Sequence, residues 1–260
     1  MGKLEIKDLN VRIGEKIYLD DISFDLPLGE TLVIIGESGS GKTMLSKLLI
    51  GQRPEEASTI SGQILFDDRD LLTMSHKMWS LYRGISIAYI AQNPMALFDP
   101  NQTIGSHARE LFKSRLSLGR AQSRERMIQA LSKFNLKDPE EIIDKYPFQL
   151  SGGMLQRIMF AMMMELSPVL IIADEPTSAL DEHNTQTIID TLKKCRGDGT
   201  SLIVITHDYE LVRQLADRVI ILKEGKIIER GDAQEILKAP STEYGKALLT
   251  PRSYSRYRQV

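Results

Sequence analysis

Cysteine is almost absent: Cys195 stands alone, which excludes an intrachain disulfide and any cysteine cluster around a metal, and fits a reducing compartment. An excess of charge is lacking too. With 33 Lys and Arg against 35 Asp and Glu the formal net charge is -2, so no global basic field exists to concentrate nucleic acid, and no local patch dominates. No run approaches the roughly 18 apolar residues that a membrane-spanning helix needs. The start, Met1-Gly-Lys-Leu-Glu-Ile-Lys, lacks an apolar stretch followed by a small-residue cleavage site, so no secretory signal is expected. The expected location is the cytosol, with any membrane connection made through a partner. Internal repeats and low-complexity linkers are also missing. What remains is an ordinary soluble composition, 42% hydrophobic and 26% charged over 260 residues, enough for one large or two small globular units with a real core.

Two kinds of strand pattern are present. Leu4, Ile6, Leu9 and Val11, then Ile17, Leu19, Ile22 and Phe24, alternate with polar residues around Gly14-Glu15, as half-buried antiparallel strands do. Residues 31–35, 169–173 and 202–205 are instead nearly unbroken apolar runs rich in Ile and Val, the pattern of strands covered on both faces of a parallel sheet. Helical patterns lie between them, so the expected class is α/β. The stretch from Pro94 to Leu166 reads as a helical insertion, with helices over Arg109–Leu118, Arg124–Phe134 and Met154–Glu165. Met159, Met162 and Met163 sit at helical spacing and read as core filler rather than a metal box. His107 would be the other member of such a box. The tail Pro251-Arg-Ser-Tyr-Ser-Arg-Tyr-Arg258 is basic and aromatic and reads as a solvated terminus.

The run Gly36-Glu-Ser-Gly-Ser-Gly-Lys-Thr43 follows the first buried strand. Its glycines at 36, 39 and 41 let the backbone wrap closely enough to aim N–H groups at phosphate oxygens, and the next helix adds its N-terminal partial charge. Lys42 would reach the β- and γ-phosphates, and the Thr43 hydroxyl would face Mg²⁺. Such a site needs a carboxylate for the metal. Asp174 ends a buried strand, where α/β sheets place ligands, and Glu175 follows it as a candidate base for the attacking water. Two acids here could also be a solvated strand end; the loop at 36–43 favours the site. His207 holds the same topological position after Ser201-Leu-Ile-Val-Ile-Thr206, so it is expected to touch phosphate or position the water. His76, His107 and His183 have no such context. Kinase, GTPase and motor readings all remain open at this point.

Leu150-Ser-Gly-Gly-Met-Leu-Gln-Arg157 puts a glycine pair ahead of a second helix, another anion-binding start. It resembles the signature of the ATP-binding cassette (ABC) ATPases. The order of further pieces strengthens the resemblance: Gln92 after a strand, the signature, Asp174-Glu175, Ser178-Ala-Leu-Asp181, then His207. The resemblance implies a P-loop NTPase (RecA-like) fold, with an α/β parallel-sheet core, an antiparallel β subdomain and an inserted α-helical subdomain. It implies a core of 1–92 and 167–235, a helical signature subdomain of 93–166, and a short C-terminal helix and tail at 236–260. ATP would lie on Gly36, Glu37, Ser38, Gly39, Ser40, Gly41, Lys42 and Thr43, with Mg²⁺ on Thr43, Gln92 and Asp174. Glu175, His207 and Gln92 would form the catalytic set, and Asp181 would stand near the nucleotide. Two cassettes would close head to tail, so that Ser151, Gly152 and Gly153 bind the γ-phosphate held by a second copy. Two departures stand out. Met154 replaces the usual Gln of the signature. Ile13 occupies the position that often stacks an aromatic ring on adenine, with Tyr18 the nearest aromatic, either on the base or packed on the β subdomain.

The lack of sustained heptads between Lys42 and Asp174 favours a transporter subunit over the chromosome-maintenance branch. Tyr146-Pro-Phe-Gln-Leu-Ser-Gly-Gly-Met-Leu-Gln-Arg157, Ala91-Gln-Asn-Pro94 with Phe98-Asp-Pro100, and Ile171-Ile-Ala-Asp-Glu-Pro-Thr177 resemble the dipeptide, oligopeptide and nickel importers. Thr103-Ile-Gly-Ser-His-Ala-Arg-Glu110, the Met-rich helix and the short chain are most similar to the nickel-import ATPase, since Tyr244 to Leu249 matches only the beginning of the C-terminal extension of the peptide-import ATPases. The resemblance implies a membrane-peripheral subunit on the cytoplasmic face, partnered by a second homologous ATPase subunit, two transmembrane permeases and an extracytoplasmic substrate-binding protein, without nucleic acid. The alternatives are peptide or metal-chelator (metallophore) import by the same subunit type, and a regulatory module that binds ATP without transport.

Overall fold

The alternating patterns at the start form a hairpin: β1 (Leu4–Ile13) and β2 (Lys16–Leu26) pair antiparallel, Leu4 opposite Leu26 and Ile13 opposite Lys16. The computed structural model describes residues 3–54, 58–91, 94–178, 180 and 182–249. After the hairpin, β3 (Thr31–Ile35) leads through the glycine loop into α1 (Lys42–Leu49). β4 (Ser58–Phe66) and β5 (Arg69–Asp70) complete an antiparallel sheet of order β2-β1-β4-β5. Next come α2 (His76–Tyr82) and β6 (Ile87–Ile90). Four helices then intervene: α3 (Ile104–Leu116), α4 (Arg120–Lys133), α5 (Pro139–Ile142) and α6 (Gly152–Met164). The chain returns to the sheet with β7 (Leu170–Asp174), α7 (Glu182–Gly197), β8 (Ser201–Ile205), α8 (Tyr209–Leu215), β9 (Arg218–Lys223) and β10 (Lys226–Asp232). Two short helices follow, α9 (Ala233–Lys238) and α10 (Glu243–Leu248).

The second sheet has the order β10-β9-β3-β8-β7-β6. Its five strands from β9 to β6 run parallel, and β10 joins β9 antiparallel. Alternation along these strands explains why their runs are apolar throughout. Leu32 and Ile34, Ile172, Ile203 and Ile205, and Ile220 face a core shared with the antiparallel sheet and α1. Val33 and Ile35, Ile171, Val204 and Ile221 face the opposite core, filled by α3, α4, α6, α7 and α8. Each isoleucine or valine buried there contributes about 1.5–3 kcal/mol, and a polar residue at either parity would be stranded in a core. The inserted helices are anchored in that second core by Phe112, Met127, Leu131, Leu155 and Phe160, all essentially inaccessible. Met159 and Met162 are buried with them, as core filler.

The helices begin earlier than apolar spacing suggests. α3 starts at Ile104, where the Thr103 hydroxyl accepts the Ser106 N–H at 3.2 Å, and it ends at Ser117 in the left-handed region (φ 57). α4 starts at Arg120 rather than 124. α6 starts at Gly152, where the Ser151 hydroxyl accepts the Met154 N–H at 3.3 Å. A cap fixes the first turn by satisfying its orphan donors, and it lies outside the apolar stripe.

Candidate functional site

The site forms at the carboxyl ends of β3, β7 and β8, where parallel α/β sheets place ligands. Gly41 closes the glycine loop with φ +109, and a Cβ there would stand 2.7 Å from the Tyr18 carbonyl, so only glycine lets the loop lie on β2. Lys42 turns its ammonium into the loop, donating to the carbonyls of Gly36 at 2.6 Å and Glu37 at 2.7 Å and to Ser40 Oγ at 3.3 Å. Burial lowers the Lys42 pKa, opposed by the charges of Glu175, Asp174 and Glu37. The loop thus holds a positive group beside the start of α1, and a helix start with a positive charge beside it is a cradle for an anionic ligand.

Two carboxylates face this cradle. Asp174 ends β7, and its Oδ2 accepts from Ser46 Oγ at 3.0 Å and from the Tyr89 hydroxyl at 3.4 Å. Burial, with the Glu175 charge added, raises the Asp174 pKa, although the Ser46 and Tyr89 hydroxyls and Lys42 pull it back. Burial and then Asp174 push the Tyr89 phenol up to about 12. Glu175 has a positive φ of 49, its N–H donating to the Ile205 carbonyl at 2.8 Å. That backbone turn swings its side chain across to β8. Glu175 Oε1 lies 2.7 Å from His207 Nδ1, and Thr206 Oγ1 donates to Oε2 at 3.4 Å. The hydrogen bond to Glu175 is the largest cause of a raised His207 pKa. A carboxylate so oriented is placed to accept a proton from water.

These groups converge on a cavity of about 470 Å³. Gly36, Glu37, Ser38, Gly39, Gly41, Lys42 and Thr43 line it together with Asp174, Glu175, His207 and Tyr18. Ser40 is buried behind the loop, on Lys42. Ile13 does not line the cavity: it closes β1 opposite Lys16, and the wall passes to the ring of Tyr18, with the Lys16 ammonium 4.9 Å from its centroid. Ser151, Gly152 and Gly153 lie apart from the cavity at the start of α6. Gln92 and Asp181 fall outside the described residues. Ser46, Tyr89, Met44, Lys47 and Leu248 are additional members that pattern reading missed. Ser46 was discoverable, one helical turn beyond Thr43; Leu248 carries no local signal at all.

Among the described residues no group of three or more His, Cys, Asp or Glu could hold a metal ion. Of the side-chain oxygens in the cavity lining, the Thr43 hydroxyl at the start of α1 and the Asp174 carboxylate at the end of β7 would be the ones to hold it. That hard, sparse set fits magnesium, which is commonly held by one or two protein oxygens plus phosphates and water. When bound, such an ion neutralises phosphate charge.

Residues 19–178 match the family model described as ABC transporter. The chain belongs to that family. Its relatives include the metal-staphylopine import system ATP-binding protein of Staphylococcus aureus, 38% identical over 255 residues, 97% of this chain and 94% of that protein. The dipeptide transport ATP-binding protein of Haemophilus influenzae is 38% identical over 254 residues, 96% of this chain and 77% of that protein. Among solved structures, a dimeric ATP-binding cassette in a post-hydrolysis state bound to ADP and Pi superposes with a TM-score of 0.78 at 26% identity, covering 88% of this chain and 98% of that one. This ABC protein is therefore an ATP-binding ATPase subunit with the P-loop NTPase fold. No helix among its described residues is long and apolar enough to cross a membrane.

Proposed function

We propose that this ABC protein is the ATP-hydrolysing subunit of an importer for a small peptide or a metal held by an organic chelator, working on the cytoplasmic face of the membrane. The observation that carries the reading is the convergence of Lys42, Asp174, Glu175 and His207 on one cavity, in a chain related over nearly its whole length to ATP-binding proteins of peptide and metal-staphylopine import. The nickel expectation draws on residues 103–110 and the Met-rich helix α6; the peptide and metal-staphylopine import relatives favour the alternative at least as well. The partners are two permeases, a second ATPase subunit and a substrate-binding protein outside the membrane.

In this reading ATP lies on Gly36–Thr43, with Lys42 on its terminal phosphates and Thr43 and Asp174 toward Mg²⁺, joined by Gln92. Glu175 takes the proton of the attacking water, and His207 holds Glu175 in place and faces the γ-phosphate. Tyr18 takes the base. Asp181 belongs to the same nucleotide environment. Ser151, Gly152 and Gly153 complete the site of a second cassette, as the dimeric neighbour supports. Ser151 and Gly152 are exposed, and a Cβ on Gly152 would meet nothing within 4 Å, so the fold itself does not require that glycine. Close approach of an external group does.

The test is reconstitution into liposomes with its two permeases and binding protein, offering a dipeptide, free Ni²⁺ and a Ni²⁺–chelate complex in turn. ATP-dependent uptake of the peptide or the chelate is expected. Uptake of free Ni²⁺ alone would restore the nickel assignment, and ATP hydrolysis without uptake of any cargo would argue for a regulatory module.

A further inference from the structure

The carboxyl-terminal segment reaches the nucleotide cavity from more than 200 residues away along the chain. The Tyr244 hydroxyl accepts the backbone N–H of Glu37, in the glycine loop, at 3.0 Å. Leu248, one turn further on α10, lines the cavity. The ring of Tyr244 sits under the Lys223 ammonium, 4.8 Å from its centroid, where β9 ends.

This placement is enforced by a buried acid. Glu229 on β10, 9% exposed, accepts from Ser241 N–H at 2.6 Å, Thr242 N–H at 3.2 Å and Thr242 Oγ1 at 2.8 Å. Thr242 Oγ1 in turn accepts the Gly245 N–H at 2.9 Å, starting α10. Gly245 packs so closely that a Cβ would stand 2.6 Å from Glu229 Oε2. Leu249, buried at 6% exposure, joins the main core. A buried carboxylate with three donors is costly unless every bond is kept, so the segment is held in one register and Tyr244 arrives at Glu37 in one position.

The cavity divides by chemistry. Its loop N–H groups, Lys42, Asp174, Glu175 and His207 suit phosphates; the apolar side chains in its lining, among the described residues, are Tyr18, Met44 and Leu248. A purine has large apolar faces and needs such a wall. We infer that the segment 241–249 is a working part of the nucleotide site, with Tyr244 a positioning residue that holds the first turn of the phosphate loop and Leu248 a wall for the base. The inference rests on the nucleotide reading of the cavity.

Calorimetric titration of the full-length protein with ATP, and separately with inorganic tripolyphosphate, tests it. Tyr244→Phe keeps the ring on Lys223 and removes the acceptor for Glu37; it should weaken both ligands about fivefold, the size of one lost hydrogen bond. Leu248→Ala should weaken ATP about fivefold or more and leave tripolyphosphate within about twofold. Thermal midpoints within a few degrees of the parent protein show that folding is intact, and Lys42→Ala serves as the reference. Unchanged ATP affinity in Tyr244→Phe and Leu248→Ala beside lost affinity in Lys42→Ala overturns the role of the segment and leaves the nucleotide site standing. Equal weakening of both ligands by Leu248→Ala removes the base wall. Unchanged affinity in Lys42→Ala overturns the segment and the nucleotide reading together.

Discussion

Glu175 and His207 meet across two adjacent parallel strands, Oε1 to Nδ1 at 2.7 Å, because Glu175 leaves β7 in the left-handed region (φ 49) while its N–H stays tied to Ile205. In the proposed reaction the pair would act as one unit of a base and its orienting group. Glu175→Gln keeps shape and loses basicity: it is expected to bind ATP, to hydrolyse about 10²–10⁴-fold more slowly, and to accumulate as a nucleotide-bound dimer. Phosphate release in the assembled transporter and light scattering of the isolated subunit measure the two halves. Turnover at the parental rate would remove Glu175 from its role.

The same contact sets a pH dependence. Hydrogen bonding to Glu175 raises the folded-state pKa of His207, so the protonated pair stabilises the fold fully below the unfolded histidine value of about 6.5. That contribution is lost as pH rises through the higher folded value. His207 is 45% exposed, so solvent screens the effect. The difference in thermal midpoint between the parent and His207→Ala, measured from pH 6 upward, is expected to shrink; a difference that grew with pH would contradict the assignment.

Lys42 is embedded in its own loop, bonded to Gly36 and Glu37 carbonyls, and in the proposed nucleotide site it would supply the positive charge facing the phosphates. Lys42→Ala removes a charged donor, worth about 1.5–3 kcal/mol, so the ATP dissociation constant should rise about 10- to 150-fold. Equilibrium titration with a fluorescent nucleotide reads it directly.

Local chemistry was legible and distant juxtaposition was not. Residues 31–35 read as a doubly covered strand because both cores need apolar side chains, Ile34 in one and Ile35 in the other. Gly36 to Thr43 and Asp174-Glu175 were readable because each motif is contiguous and closes a buried strand. The partner of Asp174, Ser46, lies within reach of helical spacing from Thr43, yet only the fold shows that its hydroxyl meets the carboxylate. Tyr244 on Glu37 and Glu229 beneath Thr242 depend on how β9 and β10 return to the sheet edge; no periodicity announces them. β10 carries the pattern of an ordinary edge strand, and its buried glutamate looks like any charged residue.

Gln156 ties the inserted helices to the turn that follows β7. Fully buried on α6, it donates Nε2 to the carbonyl of Pro176, next to Glu175, and its Oε1 has no partner among the described residues. Gln156→Leu leaves the Pro176 carbonyl without this donor, but it also removes the unpaired Oε1, so a cost of about 1–2 kcal/mol is expected. Gln156→Glu would bury a charge beside a carbonyl and should cost about 3 kcal/mol or more. Urea denaturation orders the two. A glutamate variant as stable as the leucine variant would mean that this pocket admits water or a counter-charge.

Glu229 decides whether the carboxyl-terminal segment holds at low pH. Burial alone would raise its pKa, but the donors from Ser241 and Thr242 outweigh it and keep the carboxyl below the ordinary glutamate range. A depressed folded value means that the stabilisation is complete above the unfolded glutamate pKa of about 4.3 and is lost as pH falls through the folded one. Glu229→Gln surrenders the charge at every pH and should cost about 1–3 kcal/mol through weakened hydrogen bonds. The stability gap between parent and variant should therefore be constant from pH 8 to 5 and close below that. Hydrogen exchange localises the effect: the amides of Ser241, Thr242 and Gly245 should lose protection first in the variant, and with them the Glu37 amide on Tyr244. Exchange that speeds at 241–245 while Glu37 keeps its protection would separate the segment from the phosphate loop.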